Sequence, residues 1–319
     1  MHKHYQGIYA PYIKQLIDLK RGLGFKYFTE ETIFFIFDRF TVQREESIVG
    51  VTRDLANAWY KLRPNESDSY KYHRCACLNQ LASFLSDIGI RSYVAPLPVN
   101  KSTFNPYIFS KAEIANVFDV CDATTNNKKR MDSGIICFPT LIRLLYATGL
   151  RISEALALRN ADVNLTDKYL VVKVGKNGKE RLIPISESLS EVCNEYVRYR
   201  DLMPLGKLKS DYFFITLSGR ACKTDYVRKR FKKLLWNAGI SRNNQGPRLH
   251  DLRHTFSVHS LAMMAESGLD LYCSLSILST YLGHQSLHAT NSYVRLTSDM
   301  YPNLLKDVDS IYLNVFPKI

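Results

Sequence analysis

The sequence predicts a mainly α-helical protein: an all-helical N-terminal domain, then a larger, mostly helical domain with a small antiparallel sheet. Three observations predict this. Residues 1 to about 90 show apolar positions at helical spacing and no strand run. The stretch RSYVAPLPVNKSTFNPYIFS, with three prolines and little periodicity, interrupts that pattern as a linker. Beyond it, helical patterns enclose two short strand runs, YLVVKV and RLIPI, with the turn dipeptide Asn177-Gly178 between them. The expected limits are residues 1–92 for the first domain, 93–109 for the linker and 110–319 for the second domain.

Each element has a local reason. The first domain reads as four helices, roughly Tyr9–Gly22, Glu30–Arg44, Arg53–Leu62 and Asp68–Ile88. In the last, Leu78, Leu81, Phe84, Leu85 and Ile88 recur on one face and Gly89 supplies a stop. Ser110-Lys-Ala-Glu113 has capping-box form and opens the second domain. The helices SKAEIANVFDVC, FPTLIRLLYATG (ending at Gly149) and RISEALAL follow. After the two strands come the helix SESLSEVCNEYVRYR, a further short strand in DYFFIT, and mostly helical pattern from Lys223 onward.

The chain of 319 residues carries 43 Lys+Arg against 30 Asp+Glu, a formal charge of +13, which favours a polyanionic partner. Anionic membrane is the competing partner, but no run of 18 uncharged apolar residues and no signal-peptide or lipidation pattern is present. Seven scattered cysteines, an odd number without framework spacing, fit reduced thiols and a cytoplasmic setting. Cys75 and Cys77 lack a second pair at zinc-ligand spacing and read as helix packing. Between Arg220 and Lys233 the chain places seven Lys/Arg beside one Asp: Arg220, Lys223, Arg228, Lys229, Arg230, Lys232 and Lys233. A solvated helix face is the usual fate of such a run, yet these residues ring the helix, which favours contact with a phosphate backbone.

Four clusters carry the chemistry. In TGLRISEALAL, Glu154 lies one turn after Arg151 and can hold its guanidinium; alone, such a pair is usually a weak surface ion pair. In GKNGKERLIPI, the turn lifts Lys176 and Lys179, which could be merely solvated or could reach a DNA groove or a leaving oxygen. In PRLHDLRHTF, His250 and Arg253 share a helix face and can grip a phosphate. The same segment has the outline of a zinc-binding helix through His250 and His254, although Arg253 would set a fixed cation beside the metal. The fourth is LGHQSLHATNSY. His284 and Tyr293 stand nine residues apart, on opposite faces of any unbroken helix. A stop near Gly283 and a new helix capped by Ser286 would let them converge. Two arginines, a lysine, two histidines and a tyrosine suit transfer of a DNA phosphoryl group to the tyrosine.

In these motifs, in this order, the chain resembles the tyrosine recombinases of the phage-integrase family, close to chromosome-dimer-resolving and transposon integrase types. The likeness covers about residues 105–300. It implies a helical core-binding domain and a catalytic domain that clamp duplex DNA. Arg151 and Arg253 would hold the scissile phosphate, supported by Glu154, and Lys176 would protonate the leaving 5′ oxygen. His250 would act in acid–base transfer, His284 would bond a non-bridging oxygen, and Tyr293 would attack. The hairpin reads GKNGKE where GKGNKE is common in the family, which moves the glycine and leaves Lys176 in place. The resemblance further implies a monomer in solution that forms a homo-tetramer on synapsed double-stranded recombination sites. Strand exchange would pass through a Holliday junction, with no cofactor and no metal, in the service of a mobile element and with DNA-bending accessory proteins as possible partners. The tail YPNLLKDVDSIYLNVFPKI would dock on its own domain or on a neighbour. Three alternatives stay open: a non-catalytic DNA-binding regulator on the same fold, a zinc hydrolase using His250 and His254, and a relaxing topoisomerase.

Overall fold

The computed structural model describes residues 4–99, 105–126, 136–173, 180–203, 210–240, 246–284 and 288–301. The chain divides into two compact units, Met1–Phe104 and Asn105–Ile319.

The first unit contains α1 (Ala10–Gly22), α2 (Phe28–Gln43), α3 (Arg53–Tyr60) and α4 (Asp68–Asp87), each within two residues of the expected bounds. Thr52 and Ser67 cap α3 and α4 by accepting from the N–H groups of Leu55 (3.1 Å) and Tyr70 (3.2 Å). Ile13, Phe34, Phe37, Leu55, Trp59, Leu81 and Leu85 form the core. Cys75 and Cys77 are fully buried on α4, as packing residues should be. The expected linker is anchored at both ends: the Tyr93 N–H donates to the Val51 carbonyl at 2.7 Å, and the Phe109 N–H donates to Thr255 Oγ1 at 3.1 Å in the second unit.

The second unit starts with the expected capping box. The Ser110 N–H donates to Glu113 Oε2 at 2.8 Å and the Glu113 N–H to Ser110 Oγ at 3.2 Å. There follow α5 (Lys111–Asn126), α6 (Phe138–Thr148) and α7 (Ile152–Ala157), then β1 (Val163–Asn164), β2 (Tyr169–Val172) and β3 (Arg181–Pro184). The sheet is antiparallel in the order β1-β2-β3, with Leu170 opposite Ile183, both fully buried. Next come α8 (Glu187–Asp201), α9 (Thr224–Asn237), α10 (Asp251–Glu266), α11 (Leu271–Leu282) and α12 (His288–Met300). α11 ends at Leu282 and α12 begins at His288, so His284 and Tyr293 do not share one helix. No helix among the described residues is long and apolar enough to cross a membrane.

Two expectations need correction. DYFFIT forms isolated bridges, Arg159 with Tyr212 and Ile215 with Ala221, and no strand, because Phe213, Phe214 and Ile215 are all buried as core instead of alternating across a sheet face. Nor does α9 expose charge all round: Val227, Phe231, Leu234 and Leu235 bury one side, and Arg230 lies over the Phe138 ring at 5.0 Å.

Helix α10 is the central element of the second unit, packed against α6, α11 and α12. The turn from α6 to α7 fits against it only through Gly149, at φ +59°, where an added Cβ would stand 2.4 Å from Phe256 Cδ1. Gly149→Ala is therefore expected to cost roughly 2–3 kcal/mol, read as a lowered denaturation midpoint. An unchanged midpoint would contradict this packing.

Candidate active site

Arg253, on the inner face of α10, organises the site. It is 2% exposed. Its Nη1 donates to the Gly149 carbonyl at 2.8 Å, and its Nη2 donates to the Leu282 carbonyl at 2.9 Å. Those carbonyls end α6 and α11, where helices leave acceptors unpaired, so one guanidinium closes both ends. Burial first, and then the Arg151 charge, lower its pKa to about 10, which still leaves it cationic at neutral pH.

Nη2 also donates to His284 Nε2 at 2.9 Å. A guanidinium can only donate, so Nε2 accepts and the neutral ring carries its proton on Nδ1. That proton is given to Thr290 Oγ1, 2.8 Å away on α12. Arg151 caps the start of α7: its N–H donates to Glu154 Oε2 at 3.1 Å and its Nη1 to Oε1 at 2.9 Å. The same carboxylate takes a second guanidinium, Arg181, at 2.8 Å. Burial pushes the Glu154 carboxyl up, but the hydrogen bonds from Arg181 and Arg151 outweigh it and hold it below the usual range. Glu154 is thus the 2% exposed anchor of two arginines, not the weak surface partner such a pair usually is.

Tyr293 reaches this cluster from α12. Its ring stacks beside His284 with centroids 6.3 Å apart, and its hydroxyl shares a hydrogen bond with His254 Nδ1 at 3.1 Å. It is 4% exposed. His250 stands at the cap position of α10 on the solvent side, edge-on to His254 with centroids 4.8 Å apart. His250 takes helical backbone angles at the N-cap of α10, three residues before Arg253, which is buried in the first turn. A cleft of about 560 Å³ brings His250 together with Ile152, Arg228, Phe231, Lys232 and Arg248.

The other expected residues fall in different places. Arg220, Lys223, Lys229 and Lys233 are exposed, and Arg228 and Lys232 line the cleft. Arg230 is engaged inside the fold, its Nη1 donating to the Tyr226 hydroxyl at 3.2 Å. Lys176, Lys179, Ser286 and the tail beyond Tyr301 lie outside the described residues. The zinc outline is not favoured. His254 is committed to Tyr293, and no group of three metal-ligating side chains occurs among the described residues. Arg181 and Thr290 join the site through contacts that the sequence does not signal. Nothing in a strand arginine or a helix threonine marks it until the tertiary fold brings Glu154 or His284 against it.

Burial, then the Arg253 and Arg151 charges, press His284 down to about 4, and burial with the neighbouring cations does the same to His250 and His254. Unfolded histidine titrates near 6.5, so the unfolded chain binds protons first. Stability should hold above about 6.5 and fall as pH drops toward 4, checked by thermal melts across that range. An anionic phosphate near His284 Nε2 favours the imidazolium, so the His284 pKa, followed by imidazole NMR, should rise on binding DNA. A ring that still titrates near its free value would contradict this placement.

Two arginines on a shared frame, imidazoles beside them and a tyrosine at their edge define a tyrosine recombinase. The chain belongs to the phage integrase family, whose model matches residues 109–300. It is 28% identical over 300 residues to the provisionally named integrase/recombinase y4rB of Sinorhizobium fredii (strain NBRC 101917 / NGR234), covering 92% of this chain and 94% of the relative. It is 26% identical to tyrosine recombinase XerC of Staphylococcus saprophyticus, covering 72% of this chain and 68% of the relative. Its fold is similar to that of the Tn1549 transposon integrase in complex with transposon right end DNA. That likeness has a TM-score of 0.65 and 18% identity, over 88% of this chain and 94% of the other.

Proposed function

We propose that the chain is a site-specific DNA recombinase that cuts and rejoins strands through Tyr293. The observation that carries this reading is the convergence of Tyr293, His284 and Arg253 at the junction of α6, α10, α11 and α12. Arg151 and Arg253 hold the non-bridging oxygens of one phosphodiester, where donors set in advance stabilise the charge of the transition state. The released Tyr293 oxygen attacks phosphorus, a 3′-phosphotyrosyl bond forms, and the bond to the 5′ oxygen breaks. Lys176 gives that oxygen its proton, and His250 relays the phenolic proton. Attack by a 5′ hydroxyl from a second duplex reverses the step and releases the tyrosine. The bond energy stays in the phosphotyrosine, so strand joining needs no ATP.

His284 must first exchange roles. While its Nε2 accepts from Arg253 it cannot donate to a phosphate, so binding must protonate the ring or shift its tautomer. The net charge of +13 and the exposed Arg220, Lys223, Lys229 and Lys233 support a duplex partner. Four copies on two sites would exchange strands in pairs through a Holliday junction, in the cytoplasm, for a mobile element. DNA that stays covalently attached to the chain under denaturing conditions, with no crosslinker added, is recovered from cells and sequenced to test the reading. One recurrent sequence in the wild type, lost on Tyr293→Phe, is expected; the same DNA recovered from both would contradict it.

A further inference from the structure

Arg181 sits at the start of β3, beside a hairpin, where arginine ordinarily reaches into water. Its side chain is only 13% exposed. The guanidinium lies along the Glu154 carboxylate, Nη2 to Oε2 at 2.8 Å and Nη1 to Oε1 at 3.3 Å. Its Nε donates to the Tyr281 carbonyl at 3.1 Å, one residue before the end of α11. The shaft runs so close to Gly283 that a Cβ there would stand 3.1 Å from Nη1 and 3.2 Å from Cδ and Cζ. One side chain therefore ties α7, β3 and the end of α11 together.

The elements it joins are those that present the phosphate ligands. Glu154 fixes Arg151 through two hydrogen bonds. The end of α11 supplies the Leu282 carbonyl to Arg253 and leads directly into His284. Arg181 itself has its Nε and both terminal nitrogens engaged within the protein. In the strand pairing Arg181 faces Val172, at the end of the β2–β3 ladder.

We infer that Arg181 is a positioning residue for phosphoryl transfer: it holds Glu154 and the end of α11 so that Arg151 and His284 meet one phosphate together. This rests on the recombinase reading. A loosened frame leaves every ligand present but misplaced, so the chemical step should suffer more than DNA binding.

The test uses the full chain and a nicked duplex carrying the sequence trapped on the wild-type protein. Single-turnover formation of the covalent adduct is measured at saturating protein, with affinity read by mobility shift. Arg181→Gln is expected to bind within about twofold of wild type and to form adduct about 10- to 100-fold more slowly. Arg181→Lys should recover only part of the rate, since an ammonium cannot hold both carboxylate oxygens and the Tyr281 carbonyl. If Arg181→Gln melts too low to assay, the Lys variant carries the comparison, and a wild-type rate there overturns the proposal. Combined with Glu154→Gln, Arg181→Gln should be no slower than the slower single variant, because both act through one frame. A wild-type rate in Arg181→Gln, or a double variant slowed by the product of the single effects, overturns the proposal. If the wild-type chain forms no adduct, the recombinase reading fails and Arg181 is judged with inorganic phosphate by ³¹P NMR. About tenfold weaker phosphate binding in Arg181→Gln then supports positioning, and equal binding overturns it.

Discussion

Tyr293→Phe will bind its recombination site and form no covalent protein–DNA species, a loss of about 10⁴-fold or more in the cleavage step. The exchange removes one oxygen, and that oxygen is the proposed nucleophile. The chain has 20 tyrosines, but the ring of Tyr293 is stacked on His284, whose Nε2 is shared with Arg253. Folding should be little affected. The ring keeps its place among Val258, Leu261, Leu278 and Leu282, and the lost bond to His254 is worth about 1 kcal/mol. Suicide duplexes that trap cleaved strands, resolved on denaturing gels, check this. An adduct that survives the substitution would move the nucleophile to another side chain.

Arg253→Ala should damage both fold and chemistry. It strips the Gly149 and Leu282 carbonyls of their donor in a buried setting, at a cost of about 2–4 kcal/mol. It also removes a guanidinium proposed to bind the transition state, which should slow cleavage by about 10³-fold or more. Arg253→Lys separates the two effects. An ammonium keeps the charge yet cannot span both carbonyls and His284, so it should restore some stability and little activity. Chemical denaturation and single-turnover cleavage on the same variants read the two parts. If the Lys variant cleaves at the wild-type rate, charge alone suffices and the fork geometry of Arg253 is irrelevant.

Much of this architecture is legible in the sequence, for identifiable reasons. Among the four N-terminal helices, α3 and α4 start at the side-chain caps Thr52 and Ser67, and Gly24 and Gly89 follow α1 and α4, local signals that tertiary packing leaves alone. The break before Tyr293 follows from Gly283, which takes φ +66° and so ends α11 where the spacing demands it. The paired motifs around Arg151, Arg253 and His284 are legible because each lies beside a helix end. Packing overrides local signals elsewhere. DYFFIT has strand composition, but three consecutive core side chains leave it no solvent face. β1 spans just two residues and has no period to detect. Arg181, Arg230 and His254 are polar residues whose partners lie far off in the chain: Glu154, Phe138 and Tyr293. No window of sequence contains those pairs, so their burial can be read only from the fold.

In the proposed mechanism Tyr293 leaves His254 and becomes linked to DNA through phosphorus. Mass spectrometry of the nuclease-trimmed, proteolysed adduct tests that link most directly, since it identifies both the modified residue and the end of the DNA attached to it. A nucleotide joined through its 3′ phosphate to the peptide containing Tyr293 is the predicted result. A 5′ linkage, or attachment to any other residue, would contradict the account.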